Sequence, residues 1–291
     1  MDPQRCKGDG ICTAICPARI FRATEAKKPP QLVGAEMCVL CGQCLAVCPH
    51  DAIAHSALDA ARLEKIRDRQ PVTPDAALEF LRQRRSERVY EKKPVPRELL
   101  EQIVRVAGFA PTSAHGGEGW IRSVAVVTGE DSMRRVTELT AEHMRRLGKK
   151  MDSPVARIIA HWNVALQSGR AMLPDLQMRL AERDAGRDAI TYDAPAALFV
   201  HTPRNEPEPA ATCHAALMAI FYAAHAHGLG TCWNGWMAKA ASGFKTPSFT
   251  AFRELLQLPD DHDVLAAATI GYPRFKLHSL PPRETRIRWI D

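Results

Sequence analysis

Seven of the nine cysteines in this 291-residue chain lie in its first 48 residues, at Cys6, Cys12, Cys16, Cys38, Cys41, Cys44 and Cys48. Thiols this crowded either form disulfides, as in small secreted domains, or ligate metal. No basic region followed by an apolar run stands at the N-terminus, and the cysteine array is already under way at Cys6, which argues against a secretory signal. The spacing therefore points to metal, in a chain expected in the cytoplasm. The array is also doubled: Cys12-x3-Cys16-Pro17 returns as Cys44-x3-Cys48-Pro49, and each copy is followed by an isoleucine, Ile20 and Ile53.

The second run, Cys38-x2-Cys41-x2-Cys44-x3-Cys48-Pro49, matches the bacterial ferredoxin pattern in full. Soft thiolates favour iron and sulfide, and in two-cluster proteins the fourth cysteine serves the other cluster. The first run departs from the pattern, with Asp9 where the second cysteine would stand. By the cross-over rule, Cys16, Cys38, Cys41 and Cys44 hold a 4Fe-4S cluster, while Cys6, Asp9, Cys12 and Cys48 hold a 3Fe-4S or 4Fe-4S cluster. A carboxylate is a harder and weaker ligand for iron than a thiolate, so one expectation is an exchangeable iron at Asp9. The other is that Asp9, between Gly8 and Gly10, is a turn residue beside a permanent 3Fe-4S cluster. A four-ligand zinc site needs neither the doubling nor both Cys-Pro bends. Cys213 and Cys232, far from the array, are expected as buried free thiols.

Hydrophobic residues at 46% and charged residues at 25% describe a globular chain long enough for about two domains. These are a ferredoxin-like region over 1–56, a short helix and linker over 57–75, and a larger domain over 76–291. The net charge of +6 comes with basic residues interleaved with Glu, as between Arg84 and Arg105, so a solvated surface is expected and no nucleic-acid partner. Apolar stretches such as Ala215 to Ala226 fall short of a membrane span. Helices are expected at Ala76 to Arg84, with an apolar face of Ala77, Leu78 and Leu81, and at Glu98 to Ala107. Strands are expected at Ser123 to Thr128, Ala196 to His201 and Val264 to Ile270. Ala210 to His227, apolar nearly all round and stopped by Gly228, reads as a central buried helix. Strands among many helices make an α+β or α/β layer architecture.

In the larger region, Arg84-Arg85-Ser86-Glu87-Arg88 gathers cations and a hydroxyl at a helix end, groups suited to phosphate. This segment, then Pro94-Val95-Pro96, Ala110-Pro111-Thr112-Ser113, the run from Gly228 to Gly235, Ile270-Gly271-Tyr272-Pro273 and Leu280-Pro281-Pro282-Arg283, resembles the nitroreductase family over residues 76–291. The resemblance implies an α+β fold, a mixed sheet wrapped by helices, preceded by a βαββαβ-type ferredoxin domain. It also implies FMN at a homodimer interface. Arg84, Arg85, Ser86 and Arg88 would grip the phosphate, ribityl chain and pyrimidine edge, and Arg283 would return to the phosphate. Thr112 and Ser113 would come from the partner subunit, with Trp233, Asn234 and Gly235 along the flavin ring. Where the family often carries an Asn and then Gln-Pro, this chain has His115-Gly116-Gly117-Glu118-Gly119, which makes His115 a candidate proton donor beside an exposed-loop alternative. His214, His225, His227 and Trp162, the last in a helical stretch, are expected to pack.

The function this implies is an iron-sulfur flavoprotein oxidoreductase, with clusters feeding FMN and FMN reducing a small-molecule acceptor such as a nitro compound, a quinone or an activated alkene. The electron donor would be a reduced ferredoxin or NAD(P)H, which in this family docks over flavin without the Gly-x-Gly-x-x-Gly signature that the chain lacks. A redox or iron sensor built on the Asp9 cluster is the alternative.

Overall fold

The computed structural model describes residues 1–66, 72–112, 122–242 and 247–290. They form two compact units, one of residues 1–66 with Thr112 and the other of residues 72–111 and those from Arg122 onward.

In the first unit, α1 (Ile11–Ile15) and α2 (Gln43–Val47) begin at Gly10 and Gly42, both left-handed at φ 74° and 69°. No atom lies within 4 Å of where a Cβ on Gly10 would sit, so glycine is required there by the dihedral and not by space. Between the helices, β1 (Phe21–Arg22) and β2 (Gln31–Leu32) form an antiparallel pair. The outer strand pair of the expected βαββαβ plan is reduced to one bond, from the Asp2 N–H to the Ala52 carbonyl at 2.7 Å. The sequence repeat is also a backbone repeat: Arg19 and Asp51 each take positive φ three residues after a cysteine and donate to its carbonyl. A small core of Cys12, Cys16, Ile20 and Phe21 closes the unit. The helix expected after residue 57 is a single 3-10 turn, Ala60–Arg62.

The second unit opens with α3 (Pro74–Gln83), capped by the Thr73 hydroxyl on the Ala76 N–H, and α4 (Arg97–Arg105). On α3 the expected stripe is not the packed one. Leu78 and Leu81 stay exposed, and the contact is made by Phe80, whose ring lies 4.9 Å from that of His225. Four strands, β3 (Ser123–Thr128), β4 (Ala196–Pro203), β5 (Gly230–Trp233) and β6 (His262–Gly271), form an antiparallel sheet in the order β3-β4-β6-β5. Its one parallel pairing among the described residues is a bridge from Ser86 to Thr231 at the β5 edge.

Both faces of the sheet are covered, which explains why β4 reads as an unbroken apolar run. Ala196, Leu198 and Val200 face α4 and α9 (Pro209–Ala226). Ala197 and Phe199 face α5 (Glu130–Met151), α10 (Gly235–Ser242) and α11 (Pro247–Leu256). Leu198, Phe199 and Val200 are fully buried, each worth roughly 1.5–3 kcal/mol. A bulge in β6 opposite Val200 and His201 turns Leu265 and Ala266 to the same side. Helix α9 is buried along Thr212, Cys213, Ala216, Leu217, Ile220, Phe221 and Ala224, while Met218, on its outer side, is exposed, so in the single chain the helix is buried on its sheet-facing side and not all round. Helices α6 (Pro154–Ile159), α7 (Val164–Ala171) and α8 (Leu173–Asp184) complete the unit. Trp162 lies in the turn between α6 and α7, 82% exposed, and not in a helix. No helix among the described residues is long and apolar enough to cross a membrane.

Beside the bulge, His201 and His262 are buried with their Nδ1 atoms 2.9 Å apart, so one ring donates and the other accepts. Burial, and for His201 the neighbouring ring, pushes both below the ordinary histidine range, His201 to about 4. The unfolded chain then binds more protons than the folded one between about pH 4 and 6.5, and the neutral pair stabilises fully only above that window. Acidification across it should remove up to about 3 kcal/mol. Circular-dichroism melts should show this pH slope flattened in His201→Gln.

Candidate functional site

The cross-over assignment of the cysteines corresponds to two separate cavities. Cys6, Asp9, Cys12 and Cys48 line one, together with His50. Cys16, Cys38, Cys41 and Cys44 line another, together with His55. The αL glycines turn the chain between the second and third groups of each run, and the Cys-Pro bends deliver the fourth residue to the opposite cavity.

The chemistry of these donor sets fits iron-sulfur clusters. Burial pushes the Cys12 and Cys44 thiols up, and the facing Cys41, Cys38 and Cys16 push Cys44 further. Four soft donors that resist ionising together call for a polycationic occupant. At Asp9, one carboxylate oxygen accepts the Ile11 N–H at 3.2 Å and the other lies 3.7 Å from His50 Nε2. The residue is thus both a turn former and a member of the cavity wall. The Ala52 N–H donates to Cys48 Sγ at 3.4 Å. His50 and His55 went unnoticed in the sequence, although His50 directly follows the second Cys-Pro bend.

In the second unit, an open cavity of about 500 Å³ lies where α3 ends against β5. Arg84 and Arg85 line it with Glu87, His225, Gly228 to Thr231, and Lys276 and His278 from the segment after β6. Arg84 sits over the Phe221 ring, 5.7 Å from its centre. Burial pushes the Glu87 carboxyl up, offset by Arg88, while burial and Arg84 push His225 down. Three cations around one concavity suit an anion, and the volume admits a ligand of nucleotide size.

Ser86, Arg88, Trp233, Asn234, Gly235 and Arg283, also assigned to flavin by resemblance, lie on the same unit outside the lining of that cavity. Ser86 is exposed and pairs with Thr231; Arg88 is exposed, its charge opposing the burial that pushes the Cys232 thiol up. Trp233, at the far end of β5, is 56% exposed and meets the His214 ring edge to face at 5.2 Å. Gly235 opens α10, and Arg283 is exposed in the irregular C-terminal segment. Thr112 is exposed at the end of a described stretch, and Ser113 and His115 lie outside the described residues. Cys213 and Cys232 are buried free thiols.

Asn234 is buried and engaged within the fold. Its amide donates to the Ile190 carbonyl at 2.7 Å and its Oδ1 accepts the Met237 N–H at 3.1 Å, capping α10. Asn234→Ala should therefore cost about 1–3 kcal/mol of stability, read as a lower thermal midpoint. An unchanged midpoint with weaker cofactor binding would place the amide on the ligand instead.

A model of the nitroreductase family matches residues 81–272, and a model of the 4Fe-4S dicluster domain matches residues 1–66. The nitrobenzene nitroreductase of Ectopseudomonas oleovorans is 28% identical over 73% of this chain and 92% of its own length. Rat iodotyrosine deiodinase 1 is 32% identical over a shorter span, 29% of this chain and 30% of the relative. A crystal structure of a Bacteroides fragilis nitroreductase with bound FMN shares the fold with a TM-score of 0.54 at 20% identity, covering 74% of this chain and 98% of that one. With both its sheet and its family signature accounted for, the chain belongs to the nitroreductase family and carries a 4Fe-4S dicluster domain ahead of the nitroreductase domain.

Proposed function

We propose that this protein passes single electrons from two iron-sulfur clusters in its first unit to FMN in its second, and thence in pairs to a nitroaromatic or related organic acceptor. The observation that carries the reading is the Arg84–Arg85 cavity at the edge of a nitroreductase sheet, in a chain that also holds two four-donor sulfur-rich cavities. FMN, when bound, supplies the exchange between one-electron and two-electron chemistry. Similarity to the nitrobenzene nitroreductase of Ectopseudomonas oleovorans supports a nitroaromatic acceptor, with quinones and activated alkenes as the other candidates.

The chain's own groups have defined tasks in this reading. Arg84 and Arg85 hold the phosphate by charge-assisted hydrogen bonds, with Lys276 adding to the positive field. Ser86, Arg88 and Arg283 complete the hold on the ribityl chain and phosphate, and a second copy of the chain supplies Thr112 and Ser113. Trp233 and Gly235 border the ring. Asn234 fixes the start of α10, so its contribution would be positional. His115 remains the candidate proton donor.

In the first unit, Cys16, Cys38, Cys41 and Cys44 hold a 4Fe-4S cluster, and Cys6, Asp9, Cys12 and Cys48 hold the second, with its labile iron at Asp9. The donor is a reduced ferredoxin-like protein, with NAD(P)H the competing source.

Anaerobically reconstituted protein should contain FMN, iron and sulfide and should reduce nitrobenzene when given reduced ferredoxin. Stopped-flow reduction by NADPH alone would reassign the donor, and cluster-linked partner binding without turnover would move the reading to a sensor. Arg84→Ala and Arg85→Ala should each weaken FMN binding roughly tenfold to a hundredfold, the equivalent of one charge-assisted contact, measured by fluorescence titration. A 3Fe-4S electron-paramagnetic signal that persists in excess iron would make Asp9 a turn residue only.

A further inference from the structure

His55 stands in the wall of the four-cysteine cavity, half-buried, with its Nε2 atom 3.5 Å from Cys38 Sγ. That distance suits a hydrogen bond to sulfur, and the direction of the bond follows from the other side of the ring. The Ala57 backbone N–H donates to His55 Nδ1 at 3.0 Å. A main-chain N–H cannot accept, so Nδ1 presents its lone pair and the proton of the neutral ring sits on Nε2. The ring is thereby locked as a donor aimed at a thiolate that holds iron.

The other cavity has its own histidine, used differently: His50 Nε2 faces the Asp9 carboxylate at 3.7 Å. The sulfur contact there is the Ala52 main-chain N–H on Cys48. An imidazole on a cluster thiolate is thus found, among the described residues, at the four-cysteine cavity, while the other cavity sets its histidine on the carboxylate.

We infer that His55 is a positioning residue for electron flow, its Nε2–H···Sγ bond to Cys38 raising the reduction potential of the cluster held by Cys16, Cys38, Cys41 and Cys44. One-electron reduction adds a negative charge to the cluster and neither makes nor breaks a covalent bond. The added charge is shared by the ligating sulfurs, so a donor on one of them stabilises the reduced form more than the oxidised form. The inference rests on the iron-sulfur reading of this cavity.

The test is a mediated redox titration of the full reconstituted chain, with dithionite as the electron source and the reduced-cluster paramagnetic signal as the readout. Iron and sulfide content are measured in parallel. His55→Leu removes the donor and should lower the equilibrium constant for reduction of this cluster about tenfold, which is about 59 mV for one electron. His55→Gln places an amide N–H near the Nε2 position and should recover most of the shift, while the shorter His55→Asn should not. The Asp9-side cluster should stay at its wild-type potential in all three. The proposal is overturned if a fully loaded His55→Leu protein, or His55→Asn where the leucine variant does not assemble, titrates like wild type. It is equally overturned if His55→Gln falls as far as His55→Asn, or if both clusters shift together. A wild-type chain that takes up no iron or sulfide would sink the iron-sulfur reading itself, a result distinct from unmoved potentials in a loaded protein.

Discussion

The second unit depends on a strap of chain, residues 86–91, laid along the edge of its sheet. Ser86 bridges Thr231, the Glu87 N–H donates to the Thr231 carbonyl, and the Glu91 N–H donates to that of Tyr272. The Arg274 N–H donates back to Val89, and the Tyr90 hydroxyl ties the Glu87 carbonyl to Thr269. Without these bonds the two arginines that precede the strap would ride on a frayed helix end. With them, Arg84 and Arg85 are held in fixed relation to β5, so a buried edge of backbone sets the position of a surface charge. The strap also explains Gly230, where an added Cβ would stand 2.4 Å from Glu87 Cγ. Glycine there lets the strap lie flat.

Rigidity at that edge comes from the centre of the sheet. Strand β4 is buried on both faces, and the bulge in β6 corrects the alternation so that one strand serves two cores. The Asn234 N–H, just past β5, donates to Ala267 at 2.8 Å, which ties the end of the edge strand to the same framework. The turn region of α6 and α7 is built differently. Val155, Ile158, Trp162 and Val164 stay exposed in the single chain, and the local order there comes from caps such as Ser153 on the Ala156 N–H.

How much of this could be read from the sequence followed the range of each interaction. The grouping of the cysteines was legible because ligand spacing is a local property of the chain, and β4 and β6 were legible because burial on both faces leaves a continuous apolar run, whereas edge strand β3, with Val126 exposed, showed through its valines. Short β5 was not marked as a strand, since four residues ending in Trp233 carry little periodicity. The packed face of α3 was misjudged because Phe80 finds its partner in His225, far along the chain. Asn234 was recognised as special, but its two hydrogen bonds depend on where Ile190 and Met237 arrive. His55 was invisible for a similar reason: its chemistry is fixed by a turn that brings Ala57 to one nitrogen and Cys38 to the other.

The matched backbone of the two ferredoxin halves has a consequence for how the unit could change. Asp9 and Cys41 each stand immediately before an αL glycine that starts a five-residue helix, and Arg19 and Asp51 repeat the same bend afterwards. The chemical difference between the cavities is therefore written in side chains on a common template. A residue exchanged at the position before either glycine meets a backbone already shaped for it, so a single substitution there can make the two cavities chemically alike, and a reciprocal pair can swap them, while the chain path stays the same.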